Sequence, residues 1–156
     1  MALDRIDRTI LDVLQRDGRI SNLDLAGKVG LSPAPCLRRV RALEDSGIIS
    51  RYAALLDPAR IGMGFEVIVD LRLKGQTREH FERFDKRIVR FPEVLECYLI
   101  AGEWDYSLRV AAADLAGYQA FLLDRLMFGD NDIASFRTTI VMKKVKSTTS
   151  FDVSRA

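Results

Sequence analysis

Residues 20–49 have the sequence ISNLDLAGKVGLSPAPCLRRVRALEDSGII, which predicts two short helices joined by a tight turn. Ser21 is suited to cap the first helix, and Gly30 is suited to end it because glycine adopts the left-handed conformation at little cost. Ser32 is suited to cap the second helix, with Pro33 at its first position, where the missing N–H costs nothing. Gly47 ends this helix as Gly30 ends the first. Two such helices joined by about three residues indicate a helix-turn-helix.

Apolar residues recur at helical spacing in this segment and predict which helix faces turn inward. A third amphipathic helix precedes the pair and ends at Asp17-Gly18. Three helices can enclose a small core. The expected inward stripes are Leu3, Ile6, Ile10, Val13 and Leu14 in the leading helix, Leu23, Ala26 and Val29 in the next, and Leu37, Val40 and Leu43 in the last.

The outward face of the last helix combines small residues at its start with arginines further along. Small residues let a backbone approach base edges, and arginines reach guanines or phosphates. Three arginines in four positions can also be a solvated face, but the tight turn and both caps favour contact with double-stranded DNA. The expected DNA-binding residues are Ser32, Ala34, Pro35, Arg38, Arg39 and Arg41, with Ala42 on the same face and Arg51 as a backbone contact from the following segment.

Residues 48–56 predict a short extended wing, which an Asp57-Pro58 turn closes. The predicted winged helix-turn-helix DNA-binding domain with its wing and linker therefore spans residues 1–60. This domain carries ten Lys and Arg against eight Asp and Glu, whereas the remainder carries fourteen of each. So small an excess predicts weak binding by a single module, and useful affinity would come from linking several.

The remaining sequence predicts strand, helix, strand, strand, helix, strand. The expected strands are residues 65–73, 94–101, 106–112 and 133–145, and Thr77 and Asp114 are suited to cap the two helices. The predicted fold is therefore α+β, with a ferredoxin-like βαββαβ domain over residues 61–146 and a tail over residues 147–156. Helices on one face leave the other face open, and we expect apolar groups such as Ile68 there to drive dimerisation through the sheet.

Several segments resemble the Lrp/AsnC family of feast/famine regulators, in the order that the family has them. They are LDRIDRTILDVLQRDGRISNLDLAGKVGLSPAPCLRRVRALEDSGII, YAALLDP, ECYLIAGEWDY and VMKKVK. The resemblance covers nearly the whole chain. It implies a transcriptional regulator whose second domain senses a ligand and forms oligomers. Family members form dimers through this domain and often tetramers or octamers.

The resemblance further implies that an amino-acid effector binds at the glycine turn between the middle strands, against the last strand of a neighbour. Exposed backbone groups at this turn can hold the carboxylate and ammonium groups of an amino acid, an acidic side chain offers a counter-charge, and an aromatic side chain offers an apolar wall. Without the resemblance, the same residues indicate only a hairpin turn with a packed aromatic. The expected effector-binding residues are Gly102, Glu103, Trp104, Asp105, Tyr106, Thr138, Thr139 and Ile140. Residues 126–133 are longer and more acidic than the family's LPGV-like segment, which leaves the effector unidentified.

Nothing in the sequence indicates an enzyme. The single histidine, His80, lies among charged residues, and no nucleophile, phosphate loop or metal-type spacing accompanies it. Cys36 is expected to be a packing residue. We expect no cofactor and no metal, and no leader or apolar span is recognised, so the protein is expected to be cytoplasmic. The prediction is an effector-responsive, sequence-specific regulator. The alternative is an effector-independent, nucleoid-organising DNA-binding protein.

Overall fold

The structure, a computed structural model, describes residues 2–128 and 132–153. The chain divides into two compact units. A helical unit contains Met1–Leu55 together with Lys146–Ala156, and a sheet unit contains Leu56–Val145. The loop predicted to be longer and more acidic than its family counterpart includes residues 129–131, which lie outside the described residues.

The helical unit contains α1 (Arg5–Arg16), α2 (Asn22–Val29) and α3 (Pro33–Asp45). The Ser21 hydroxyl accepts a hydrogen bond from the Asp24 N–H, and Gly30 ends α2 at φ 70°, as the sequence predicts. Ser32 occupies the N-cap position of α3, but its side chain makes no capping hydrogen bond. The helix therefore begins where the sequence predicts, with Ser32 as its N-cap residue and Pro33 at its first position.

Two of the expected inward leucines face outward. Leu23 is 69% exposed and Leu37 is 38% exposed, because each lies about 100° around its helix from the buried side. Cys36 takes the inward place in α3 and is fully buried, which confirms its packing role; burial also raises the pKa of its thiol. The buried core of this unit consists of Ile10, Leu11, Leu25, Ala26, Cys36 and Leu43.

The segment after α3 contains no strand. Residues 46–64 are all described, and none of them pairs in a ladder. A lone extended segment has no neighbour with which to form strand hydrogen bonds, so a paired wing does not form. The predicted Asp57-Pro58 turn is confirmed, because the Asp57 carboxylate accepts from the N–H groups of Ala59 and Arg60. The Tyr52 hydroxyl donates to Glu44 at the end of α3.

The sheet unit has the predicted βαββαβ order. Its elements are β1 (Phe65–Leu73), α4 (Arg78–Ile88), β2 (Val94–Leu99), β3 (Tyr106–Ala112), α5 (Leu115–Phe121), a π-helical turn (Leu122–Leu126) and β4 (Ile133–Ile140). The strands form an antiparallel sheet in the order β2-β3-β1-β4. Thr77 and Asp114 cap the two helices as predicted. β4 ends earlier than expected, because Ile140 pairs with Val67 near the start of β1.

Both helices pack on one face of this sheet. Alternate residues of β1 and β3 point into this core, and the large residues of α4 and α5 cover them. Arg87 closes the end of the π-helical turn by donating to the carbonyl oxygens of Arg125 and Leu126 at 2.7 and 2.6 Å. The core includes Val67, Val69, Leu71, Leu73, Phe84, Ile88, Tyr106, Leu108, Val110, Tyr118, Phe121, Leu122 and Leu126.

The opposite face of the sheet carries several ion pairs beside Ile68, the apolar residue that was expected there. Arg109 forms ion pairs with Glu66 and Glu96, at 3.3 and 2.6 Å, and Arg137 bonds to Asp70 at 2.6 Å. Ile68 lies between these pairs and is half-buried. The alternation of β1 places Val67, Val69, Leu71 and Leu73 under the helices and puts Ile68 on the opposite face.

The C-terminal segment returns to the helical unit. The Phe151 N–H donates to the Gln15 amide oxygen at 2.7 Å, and the Gln15 amide nitrogen donates to the Phe151 carbonyl at 3.2 Å. The Arg8 guanidinium donates to the Val153 carbonyl at 3.3 Å, and the Val153 side chain packs against the helical core. This segment therefore forms part of the helical unit, a feature that no periodicity in the sequence indicates.

Truncation after Val145 is expected to lower the unfolding free energy of the helical unit by about 2 kcal/mol, because it removes three hydrogen bonds and the burial of Val153. Chemical denaturation followed by far-ultraviolet circular dichroism would measure the change. Gln15→Ala, which keeps Val153, should show a smaller loss. An unchanged helical transition in the truncated protein would contradict this prediction.

Candidate DNA-binding and effector-binding sites

The exposed side of α3 carries two of the three arginines. Arg38 and Arg41 are exposed and lie on the opposite side of the helix from Cys36 and Leu43, which are fully buried. Ser32 and Ala34 are also exposed at the start of the helix, and Pro35 is half-buried. The structure thus presents a small-residue tip followed by two unburied guanidinium groups.

Arg39 lies on a different side of α3. Its Nη1 atom is 2.7 Å from an oxygen of Asp7 and 2.7 Å from an oxygen of Asp4, at the start of α1. Hydrogen bonding to Asp7 and then Asp4 raises the pKa of Arg39. The pKa of Asp4 is lowered, first by the backbone N–H of Asp7 and then by Arg39. Arg51, the remaining expected contact, is exposed in the segment after α3.

The turn between β2 and β3 is held to β1 by Asp105. The Asp105 N–H donates to the Leu71 carbonyl at 2.9 Å. One carboxylate oxygen accepts from the Leu73 N–H at 2.7 Å, and the other accepts from the Gln76 amide at 2.9 Å. Asp105 is 8% exposed. Both of its oxygens therefore serve the fold, whereas the neighbouring Glu103 carboxylate is exposed. Gly102 has φ 150°, which favours glycine at this turn.

Trp104 lies close to two arginines that sequence reasoning missed. The guanidinium carbons of Arg72 and Arg137 are 5.6 and 5.3 Å from the centre of its ring. Arg72 also donates to the Glu103 carbonyl, through Nε at 3.1 Å. The indole Nε1 is buried and has no hydrogen-bond partner among the described residues. A buried donor without a partner is uncommon in folded proteins and marks this cluster as a place where an acceptor would fit.

The other expected effector-binding residues lie elsewhere in the sheet unit. Tyr106 is buried on the helix-covered face, where its hydroxyl donates to Asp85 at 2.7 Å; burial raises the pKa of this phenol. Thr138 bonds to the Tyr118 hydroxyl in the same layer. Tyr106 on β3 and Phe136 on β4 both pair with Leu71 of β1, so these three residues lie at the same level of the sheet. Ile140 lies four residues beyond Phe136 along β4, which is a distance of about 13 Å. One copy of the chain does not bring Thr138, Thr139 and Ile140 to the turn.

The described residues contain no cluster of three or more His, Cys, Asp or Glu that could hold a metal ion. His80 is half-buried, and its Nδ1 lies 2.7 Å from the Thr77 hydroxyl at the start of α4. Burial, with a smaller effect from Asp85, raises the pKa of Cys97 to about 11. Across residues 2–128 and 132–153, no helix is long and apolar enough to cross a membrane.

A helix-turn-helix with exposed arginines, joined to a βαββαβ unit, defines a DNA-binding regulator with a ligand-binding domain. A winged helix-turn-helix DNA-binding family model matches residues 3–50, and the Lrp/AsnC ligand binding domain model matches residues 66–151. The chain belongs to the Lrp/AsnC family of transcriptional regulators, which confirms the family and fold class that the sequence predicts.

Several known proteins are similar over nearly the whole chain. The leucine-responsive regulatory protein of Escherichia coli strain K12 is 44% identical over 146 residues, which cover 92% of this chain and 87% of that protein. A transcriptional regulator from Neisseria meningitidis, solved as a complex with L-methionine, is 36% identical with a TM-score of 0.93 and covers 99% of both chains. An AsnC family regulator from Agrobacterium tumefaciens is 38% identical with a TM-score of 0.92 and covers 98% of this chain and 99% of its own.

Asp105→Ala is expected to lower the unfolding free energy of the sheet unit by about 1–3 kcal/mol, because it leaves the buried Leu73 N–H without its acceptor. Glu103→Ala removes a carboxylate from the same turn but should change stability by less than about 0.5 kcal/mol, since that side chain is exposed. Urea denaturation of both variants would test the difference, and equal effects would contradict the structural role of Asp105.

Proposed function

We propose that this protein is a sequence-specific transcriptional regulator that uses α3 to contact the major groove and responds to an amino acid or a related small effector. The observation that carries the DNA-binding half is the placement of Arg38 and Arg41 on the exposed side of α3, opposite its buried core residues. Such a regulator would act in the cytoplasm, where its DNA target lies.

The proposed DNA contacts differ by depth in the groove. The start of α3 faces base edges, and the residues further along face phosphates. The proposed base-side residues are Ser32, Ala34, Pro35 and Arg38, and the proposed phosphate-side residues are Arg41 and Arg51. Arg39, which was expected among the DNA-binding residues, is held by two aspartates and is left out of the proposed contacts.

The effector-binding half rests on the buried Trp104 Nε1 beside two guanidinium groups, within the domain that matches the ligand-binding model. An amino-acid carboxylate has the acceptor geometry that an indole N–H and an arginine fork recognise. The exposed Glu103 carboxylate supplies the counter-charge for the ammonium group. The Neisseria regulator in complex with L-methionine supports an amino acid as the class of ligand.

Thr138, Thr139 and Ile140 contribute to this pocket only if they come from a second copy of the chain, because in one copy β4 carries them away from the turn. We therefore propose a homo-oligomer, a dimer that assembles further into a tetramer or octamer, with the effector at the contact between copies. Linking several helix-turn-helix domains also raises the affinity that the small charge excess of one domain leaves low.

Arg38→Ala and Arg41→Ala are each expected to weaken binding to the genomic fragment that the wild-type protein enriches most. Loss of a base-reading arginine costs about 1–3 kcal/mol at its position, and loss of a phosphate contact reduces the slope of log Kd against log salt concentration by about 0.9. Fluorescence anisotropy at several KCl concentrations would measure both effects. Arg78→Ala, which removes the same charge from an exposed site in the sheet unit, is the matched control. Wild-type affinity in both α3 variants would contradict the assignment of α3.

At least one of the twenty amino acids is expected to raise the melting temperature of the protein and to change its DNA affinity. Trp104→Phe should weaken that response, because it retains an aromatic ring beside Arg72 and Arg137 but removes the indole N–H. Differential scanning fluorimetry across the amino-acid panel would test both expectations. If no amino acid produced a shift while DNA binding persisted, the effector-independent, nucleoid-organising role would be favoured instead.

A further inference from the structure

We propose that Arg39 is a positioning residue, which fixes the recognition helix α3 to the start of α1 and does not contact DNA. This inference rests on the proposed role of α3 and refines it. Of the three neighbouring arginines, Arg38 and Arg41 contact DNA, and Arg39 fixes the orientation of the helix that carries them. The carrying observation is the closed hydrogen-bond network that Arg39 makes with Asp4 and Asp7.

Arg39 lies at a different angle around the axis of α3 from Arg38 and Arg41. Arg39 follows Cys36 by three residues and precedes Leu43 by four, so it lies on the flank of the buried side. Its side chain is 33% exposed. Arg38 and Arg41 are each about 100° or more away from Arg39 around the helix and point outward.

Each aspartate uses one oxygen for α1 and the other for Arg39. One Asp4 oxygen accepts from the Asp7 N–H at 2.8 Å, and one Asp7 oxygen accepts from the Asp4 N–H at 3.2 Å, which together form the capping box of α1. The two remaining carboxylate oxygens both bond to Arg39 Nη1 at 2.7 Å. Arg39 therefore ties the orientation of α3 to a cap that is already fixed within α1.

The charges in this cluster oppose contact with a phosphate. One guanidinium and two carboxylates leave a net charge of −1, which repels another anion. The Asp7 side chain is only 9% exposed, so withdrawing Arg39 toward DNA would leave a buried carboxylate without its counter-charge. Neither cost applies to Arg38 or Arg41, which lie on the exposed side of α3.

The test compares Arg39→Gln with Arg38→Ala, using two DNA probes. The first probe is the genomic fragment that wild-type protein enriches most, and the second is a shuffled fragment of the same length and composition. Arg39→Gln should lower affinity for the first probe about tenfold and leave affinity for the second nearly unchanged. Its slope of log Kd against log KCl concentration should match that of the wild type within about 0.3, whereas a lost phosphate contact lowers the slope by about 0.9.

A second comparison uses the two aspartates, because positioning and simple electrostatics predict opposite changes in DNA affinity when their charges are removed. Asp4→Asn combined with Asp7→Asn keeps good capping side chains but removes two negative charges from a DNA-binding unit. Electrostatics alone, or release of Arg39 to a phosphate, would strengthen binding to both probes. Positioning predicts weaker binding to the enriched fragment, and it also predicts that adding Arg39→Gln to this double variant has little further effect.

Circular dichroism melting identifies variants that do not fold at the assay temperature. If Arg39→Gln is unfolded at that temperature, Arg39→Lys takes its place, because it keeps the charge but offers a single donor group. Its affinity for the enriched fragment is expected to lie between that of the wild type and the value expected for Arg39→Gln. A reduced salt slope for the Arg39 variant, or tighter binding of the enriched fragment by the aspartate variant, would overturn the proposal. A wild-type protein that prefers no fragment would instead refute the proposed function, so the two failures are distinguishable.

Discussion

The backbone of β1 hydrogen-bonds along both of its edges, and these bonds place most of what surrounds the proposed effector site. On one edge, the Leu71 carbonyl accepts from Asp105, and the Leu73 N–H donates back to the Asp105 carboxylate, so the glycine turn is fixed to the centre of the sheet. On the other edge, β4 pairs from Leu73 back to Val67, and the Glu66 carbonyl accepts from Val141 as the chain leaves the sheet. Because the side chains of β1 alternate, the same strand also separates an apolar layer under the helices from a charged open face.

The secondary structure could be predicted from the sequence because its determinants are local. Gly30, Thr77 and Asp114 act on neighbouring backbone groups, and the alternation in residues 65–73 is visible without any partner strand. The extent of β4 could not be predicted in the same way, since it depends on where β1 begins to offer partners. The direction of Leu37 was missed because Cys36, one position earlier, fills the inward place in α3.

In the candidate sites too, features set by residues close in sequence could be predicted, and features set by residues far apart in sequence could not. The spacing of Arg39 from Cys36 and Leu43 was available in the sequence, and it would have separated this arginine from Arg38 and Arg41 once the buried side of α3 was known. The use of both Asp105 oxygens was not available, because the Leu73 N–H is 32 residues away in sequence. The two arginines around Trp104 also come from separate strands, and only the register of β1 with β3 and β4 brings them together.

The return of the C-terminal segment to α1 has a consequence for how the protein is made. The sheet unit, Leu56–Val145, is topologically an insertion in the helical unit, since segments on both sides of it belong to that unit. During synthesis, α1, α2 and α3 leave the ribosome first, but Val153, which packs against their core, is added after the whole sheet unit. The nascent helical domain must therefore remain incomplete while about 90 further residues are translated, and its final closure spans a loop of that length. Folding of the DNA-binding part is thereby tied to completion of the sensing part.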